Sequence, residues 1–282
     1  MKKDRRSEES ECAKLANLVF YNSINNGAYI NGAPHIKHAC LRKMYVNLVR
    51  EVLERTKRSV QTPAILDLGA GEGSVTIPFL DLGAKVTAVD MSENQLEGLR
   101  TKCSMAHIAS GMLELKCDDA NHFLENCRSE FDITVFNSFL HHVPDYISMI
   151  QSSMKSIRAG GYFFSFQDPM RYDTLSIPSR IMSEIGYALW RVFQEDLWGG
   201  VKRRIRRSRK IYLETEPLDN AEYHVTRNGV DQDAIARLFL ENGWSCKVIA
   251  YFSTQDRIIQ ECGFRLGLKN TFGILAQKPA TN

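Results

Sequence analysis

The stretch Ile65-Leu66-Asp67-Leu68-Gly69-Ala70-Gly71-Glu72-Gly73-Ser74-Val75-Thr76 constrains the fold of this chain more than any other. An apolar run ends in alternating glycines and passes into the start of a helix, the pattern of a buried strand, a tight turn and a helix N-terminus. Glycines at 69, 71 and 73 permit the turn and let a ligand approach bare backbone N–H groups. Downstream, Ala84-Lys85-Val86-Thr87-Ala88-Val89-Asp90 is a second strand ending in a carboxylate. A carboxylate about 20 residues beyond a glycine loop is placed to hold ribose hydroxyls in a doubly wound sheet. Together the two segments predict a nucleoside cofactor.

The spacing narrows the choice. A dinucleotide site prefers G-x-G-x-x-G, whereas this loop is G-x-G-x-G, with Ser74 in the place of the last glycine. Asp67, inside the strand, would repel a pyrophosphate but suits a cationic, amino-acid-like group. An NAD-dependent dehydrogenase is disfavoured on both counts. The segment ILDLGAGEGS resembles the first motif of the class I S-adenosylmethionine (SAM) dependent methyltransferases of small-molecule type.

Strand and helix segments alternate across the middle of the chain, as in a parallel sheet. Leu113–Cys117 is the third strand, Phe131–Phe136 the fourth and Tyr162–Phe166 the fifth, with Ala159-Gly160-Gly161 read as a turn. Ser92 and Asp231 are predicted helix N-caps, and Ile147–Ile157 a helix. Val248–Phe252 and Thr271–Gln277 are the last two strands. The fold expected is α/β: a Rossmann-like, seven-stranded doubly wound sheet, mostly parallel with an antiparallel edge hairpin. It carries an N-terminal helical segment and a helical lid insertion. The expected division is an N-terminal cap over 1–60, a SAM-binding core over 61–168, a lid or substrate insertion over 169–228 and completion of the core sheet over 229–282.

Before the glycine loop, Leu41, Met44, Tyr45, Leu48, Val49 and Val52 recur at helical spacing. Tyr21, Tyr29, His35 and His38 lie between helix breaks there, as packing residues or as part of a cap over the cofactor. Within the insertion, Met182, Ile185, Leu189, Val192 and Phe193 form an apolar helical stripe, with Trp190 and Trp198 nearby. The run Lys202–Lys210 follows. It is either a solvated helix face with Ile205 turned inward or an attractor for an acidic or phosphorylated substrate or carrier protein.

Composition excludes several classes. The 282 residues are 44% hydrophobic, enough for a sizeable core, and carry a net charge of +3, too small to argue nucleic-acid binding. No apolar run approaches the roughly 20 residues of a membrane span. The charged start predicts no secretory signal. Seven cysteines without a C-x-x-C pair point to reduced thiols, a cytoplasmic setting and no metal site.

The resemblance implies roles residue by residue. Gly69, Ala70 and Gly71 lie against the methionine portion of SAM, with Asp67 helping to hold its amino group. Asp90 takes the ribose hydroxyls and Met91 packs on the adenine. Asp119 accepts from the adenine amino group, Ala120 lies beside it, and the Asn137 backbone sits near the methionine moiety. For proton removal the histidines of Phe139-Leu140-His141-His142-Val143-Pro144 are the first candidates, His142 before His141, with His224 a further one. A histidine near its ordinary pKa of about 6.5 can serve as base at neutral pH. Tyr172 and Tyr223 are candidate pocket walls. The expected reaction is methylation of a small molecule, most simply at a hydroxyl oxygen, leaving S-adenosylhomocysteine (SAH), as in natural product biosynthesis. Methylation at nitrogen or carbon, or a non-methylating SAM-binding role, stays open. A homodimer is a further expectation.

Overall fold

The computed structural model describes residues 11–19, 33–192, 206 and 223–280, with the side chains at 191 and 192 set aside. Tyr21, Tyr29, Phe193, Trp198 and the basic run other than Arg206 lie outside the described residues.

Seven strands form one sheet: β1 (Ala64–Leu68), β2 (Lys85–Asp90), β3 (Leu113–Cys117), β4 (Phe131–Asn137), β5 (Ile157–Pro169), β6 (Ser245–Tyr251) and β7 (Thr271–Gln277). Their order is β3-β2-β1-β4-β5-β7-β6. The first five run parallel, and β7 is antiparallel to both β5 and β6. The order reverses between β1 and β4, the switch point where such sheets open a crevice beyond their C-terminal strand ends.

Alternation along the strands decides what each face buries. Ile65 faces one side with Val86, Ala88, Ile133, Val135, Phe164 and Phe166. The helix Ala39–Thr56 covers that side with Leu41, Tyr45, Val49, Val52 and Leu53. Leu66 and Leu68 face the other side, under Met149 and Ile150 of helix Tyr146–Lys155 and Ile235 and Phe239 of helix Gln232–Glu241. Each fully buried side chain of this size contributes about 1.5–3 kcal/mol of hydrophobic stabilisation. The Tyr45 hydroxyl donates to the Val75 carbonyl at 3.0 Å, so the same helix also pins the end of the glycine loop.

The capping residues act as the sequence predicts. Ser92 Oγ accepts from the Gln95 N–H, and Asp231 accepts from the N–H groups of Asp233 and Ala234. Two helices, Ala120–Asn126 and Arg257–Arg265, are additional to the sequence reading; Asp119 and Asp256 cap them.

Two segments differ from expectation for physical reasons. Ala159-Gly160-Gly161 is a strand irregularity inside a 13-residue β5, not a turn before it. Gly160 takes φ +77°, and a Cβ on Gly161 would lie 2.7 Å from the Asp132 carbonyl. The helix Ile177–Val192 docks by its small polar side. Ser179 Oγ accepts from the Lys269 N–H, Ser183 Oγ accepts from Asn270, and Gly186 meets Thr254. Ile177, Ile181, Ile185 and Leu189, spaced by four, turn outward and are all exposed.

Candidate functional site

A cleft opens at the switch point. The glycine loop floors it: the N–H groups of Gly69 and Ala70 donate to the Val89 carbonyl, tying the loop to the end of β2. Gly69 has φ +74°, and a Cβ there would fall 2.1 Å from the Phe139 ring. Only glycine lets β1 turn while Phe139 closes beneath it. Gly71 has φ +53° and nothing nearer than 4.0 Å in the Cβ direction, so its side toward the cleft is open.

Asp90 ends β2 with both carboxylate oxygens engaged. Oδ2 accepts from the Gly71 N–H at 2.8 Å and Oδ1 from the Ser92 N–H at 2.9 Å. Burial raises its pKa, and those backbone donors work against the rise. The donors hold the carboxylate along the cleft wall while lone pairs remain for ligand hydroxyls.

Asp67 lies one layer behind the loop. It is 1% exposed, its Oδ2 accepts from Thr76 Oγ1 at 2.7 Å, and burial pushes its pKa up to about 7. Neither Asp67 nor Ala70 is among the lining residues. Gly69, Gly71, Asp90, Met91, Asp119, Ala120 and Asn137 are. Asp119 also caps its helix through the N–H groups of Asn121 and His122 and lies 3.4 Å from Lys14 Nζ.

The three candidate histidines part company. His142 lines the cleft. His141 does not; it is fastened to Asp168, whose Oδ1 accepts from the His141 backbone N–H at 3.1 Å and lies 2.8 Å from Nδ1. Burial raises the pKa of Asp168, and the contact with His141 opposes it. His224 is bound through Nε2 to the Val143 carbonyl at 2.9 Å, and burial pulls its pKa down to about 4. His35 is buried with Nε2 3.4 Å from Asn137 Nδ2, and burial, then the nearby His141, lowers its pKa to about 4. His38 is bound to the Thr254 carbonyl. Tyr172 donates to the Val225 carbonyl and Tyr223 carries the Arg227 guanidinium over its ring; neither lines the cleft.

Sequence reasoning missed several lining residues. Ala13, Lys14, Asn17 and Leu18, on a helix over 11–19, close one side of the cleft. Ser138, Phe139 and Gln95 also line it. A signal existed for the first group, since 12 onward has a helical pattern, but nothing local says which wall that helix meets. No group of three His, Cys, Asp or Glu side chains able to hold a metal occurs among the described residues.

A glycine loop after β1, a carboxylate at the end of β2 and a cleft at the switch point of a 3-2-1-4-5-7-6 sheet give the molecule a Rossmann-like fold with a nucleoside-sized cleft. Residues 65–161 match the family described as a methyltransferase domain. The chain is similar to the ubiquinone biosynthesis O-methyltransferase of Hydrogenovibrio crunogenus, 28% identical over 123 residues, covering 42% of this chain and 48% of that protein. It is also similar to the same-named enzyme of Vibrio cholerae, 31% identical over 105 residues, covering 36% and 40%. These matches thus span about half or less of the curated relatives' length. In fold it is similar to the magnesium protoporphyrin IX methyltransferase of Synechocystis solved with bound SAM, with a TM-score of 0.52 at 14% identity over 94% of this chain and 97% of that one.

Proposed function

We propose that the chain transfers a methyl group from SAM to a small-molecule acceptor, at a hydroxyl oxygen. One observation carries the reading: the nucleoside end of the cleft, at Asp90, and a titratable imidazole, His142, line the same cavity. The residues present suit SAM. The bare loop at Gly71 offers close backbone approach, and Asp90 is fixed by two N–H donors with lone pairs to spare. Asn137 Oδ1 is buried with no hydrogen-bond partner among the described residues, an acceptor that an ammonium group would satisfy.

In this reading Gly69 and Gly71 receive the methionyl portion, Asp90 the ribose hydroxyls, Met91 the adenine face and Asp119 the adenine amino group, beside Ala120. Ala70 and Asp67 support the loop from behind. When bound, SAM supplies an electrophilic methyl carbon on a sulfonium. The chain's own part is to orient the acceptor, worth several kcal/mol in well-aligned cases, and to take the hydroxyl proton on His142. General-base help of this kind contributes about 10²–10⁴-fold. The similarity to O-methyltransferases over the core supports oxygen as the acceptor atom.

The test is SAH binding by calorimetry, followed by a screen of hydroxylated aromatic and aliphatic acceptors for SAH formation. His142→Ala should lower turnover about 10²-fold or more while SAH affinity stays within a few-fold. Normal turnover in a stable His142→Ala protein would remove the base assignment and favour a nitrogen or carbon acceptor. No SAH binding by the wild type would remove the methyltransferase reading itself.

A further inference from the structure

Behind His142 lies a carboxylate that the reading above leaves unused. Asp168 is 0% exposed and reaches His141 through a bulge in β5. There Gln167 adopts φ +69°, and the pairing jumps from Ser165↔Ile274 to Asp168↔Phe272, with only Gly273 between. The bulge turns Asp168 toward the 3₁₀ turn Leu140–His142. Oδ1 engages both the backbone N–H and Nδ1 of His141, while Oδ2 is buried with no hydrogen-bond partner among the described residues.

A clamp on the turn alone needs only a neutral acceptor. A buried carboxylate with one unpaired oxygen costs more free energy than an amide or a carbonyl in the same place. Its charge matters only to a group that can become positive. The titratable groups around it are His141 at 2.8 Å, His142 with its ring centroid 4.0 Å from that of His141, the more distant His35 and His224, which also respond to His141, and Tyr251 against Asp168. An ionised carboxylate accepts only, so beside a charged Asp168 the Nδ1 of His141 carries a proton.

We propose that Asp168 is a positioning residue for the transfer reaction: it fixes the tautomer of His141 and balances positive charge on the His141–His142 pair at the acceptor end of the cleft. This inference rests on the methyltransferase reading for its consequence, but its geometry is tested separately.

Nitrogen-15 histidine spectra of the wild-type protein should show His141 as the Nδ1–H tautomer; a dominant Nε2–H tautomer would overturn the proposal without any variant. Asp168→Asn keeps an acceptor for the backbone N–H but removes the charge. The amide oxygen still accepts from Nδ1–H, so the tautomer should persist while the His141 titration moves to lower pH, and SAH affinity should stay within about threefold. With the best acceptor from the screen, kcat should fall about tenfold or more with little change in KM, and the acid limb of its pH profile should move to lower pH. That sign follows because a neighbouring carboxylate favours the charged imidazole, so removing it makes the histidines easier to deprotonate. An Asp168→Asn protein with unaltered histidine titration and kcat would refute the inference, as would parallel loss of SAH affinity and folding stability with the acid limb unmoved, since that marks a purely structural clamp. If wild-type protein fails to bind SAH, the methyltransferase reading falls while the tautomer result still decides the geometry.

Discussion

Asp67→Asn should stabilise the protein, and by more as pH rises. Asp67 is 1% exposed, and burial moves its pKa from the ordinary 3.8 up to about 7, with the Thr76 hydroxyl pulling the other way and Asp90 adding to the rise. Each tenfold change is worth about 1.4 kcal/mol, so ionising this carboxyl inside the fold costs roughly 4 kcal/mol more than in the unfolded chain. The sign follows from proton counting. Between about pH 4 and 7 the folded chain keeps a proton here that the unfolded chain has released, so stability falls across that window and the whole cost is present above it. Asparagine keeps the size of the side chain and an oxygen to accept from Thr76, but has no charge to bury. Of the roughly 4 kcal/mol, about half should develop between pH 5.5 and 8.5, so the gain of Asp67→Asn over wild type should grow by about 2 kcal/mol across that range. Urea unfolding of both ligand-free proteins at the two pH values measures it. Asp90 stands in both proteins, so its own burial cancels in the difference to first order. A gain independent of pH would show that Asp67 ionises in the fold as freely as in the unfolded chain, and the burial argument would be wrong.

Three further outcomes test other parts of the structure. Asp90→Ala removes the acceptor for both the Gly71 and Ser92 N–H groups and the proposed ribose contact, so calorimetry should show SAH affinity lower by roughly 10- to 100-fold, the scale of charged hydrogen bonds; unchanged affinity would dismiss the ribose assignment. For the helix Ile177–Val192, Ile181→Lys on the outward stripe should change stability by no more than about 0.5 kcal/mol. Gly186→Leu on the docked side, where a Cβ already meets Thr254 Oγ1 at 2.4 Å, should cost about 1–3 kcal/mol; the reverse order would mean that the helix packs by its apolar stripe. Gly263→Ala sits in the last turn of the helix Arg257–Arg265, where alanine gains at most about 1 kcal/mol of helix propensity. The new Cβ falls 2.2 Å from Phe252, whose ring is 0% exposed, so denaturation should show net destabilisation, and a more stable variant would show that the ring can move aside.

The parts legible in sequence are those set by local chemistry. The glycine loop, the carboxylate at Asp90 and the caps at Ser92 and Asp231 each depend on a few neighbouring residues, and the structure has each in its expected conformation. The length of β5 was not legible, because Gly160-Gly161 suits a turn and a strand irregularity equally until the Asp132 carbonyl is known to lie against it. Periodicity located the helix Ile177–Val192 but not its docked face. An apolar stripe says that one face differs from the other, but which face docks depends on partners such as Lys269, Asn270 and Thr254, more than 60 residues further along. Burial therefore went to serines and a glycine that hydrogen-bond or pack closely, while isoleucines faced outward.

The histidine pair poses the same problem at the site. Read as letters, His141 and His142 are equivalent neighbours on one turn. They become different because a bulge in β5 aims Asp168 at one of them, from 27 residues away in sequence. The fastened ring gains a fixed tautomer and loses its way into the cleft; its neighbour keeps access to the cavity. A 3₁₀ turn makes this division possible, since adjacent side chains on so tight a turn point in different directions. One reaches the carboxylate while the other reaches the ligand space. The strand irregularity opposite Gly273 is thus what allows two identical residues to hold unlike positions, and a β5 of regular pairing would swing the residue at 168 off the turn and away from His141.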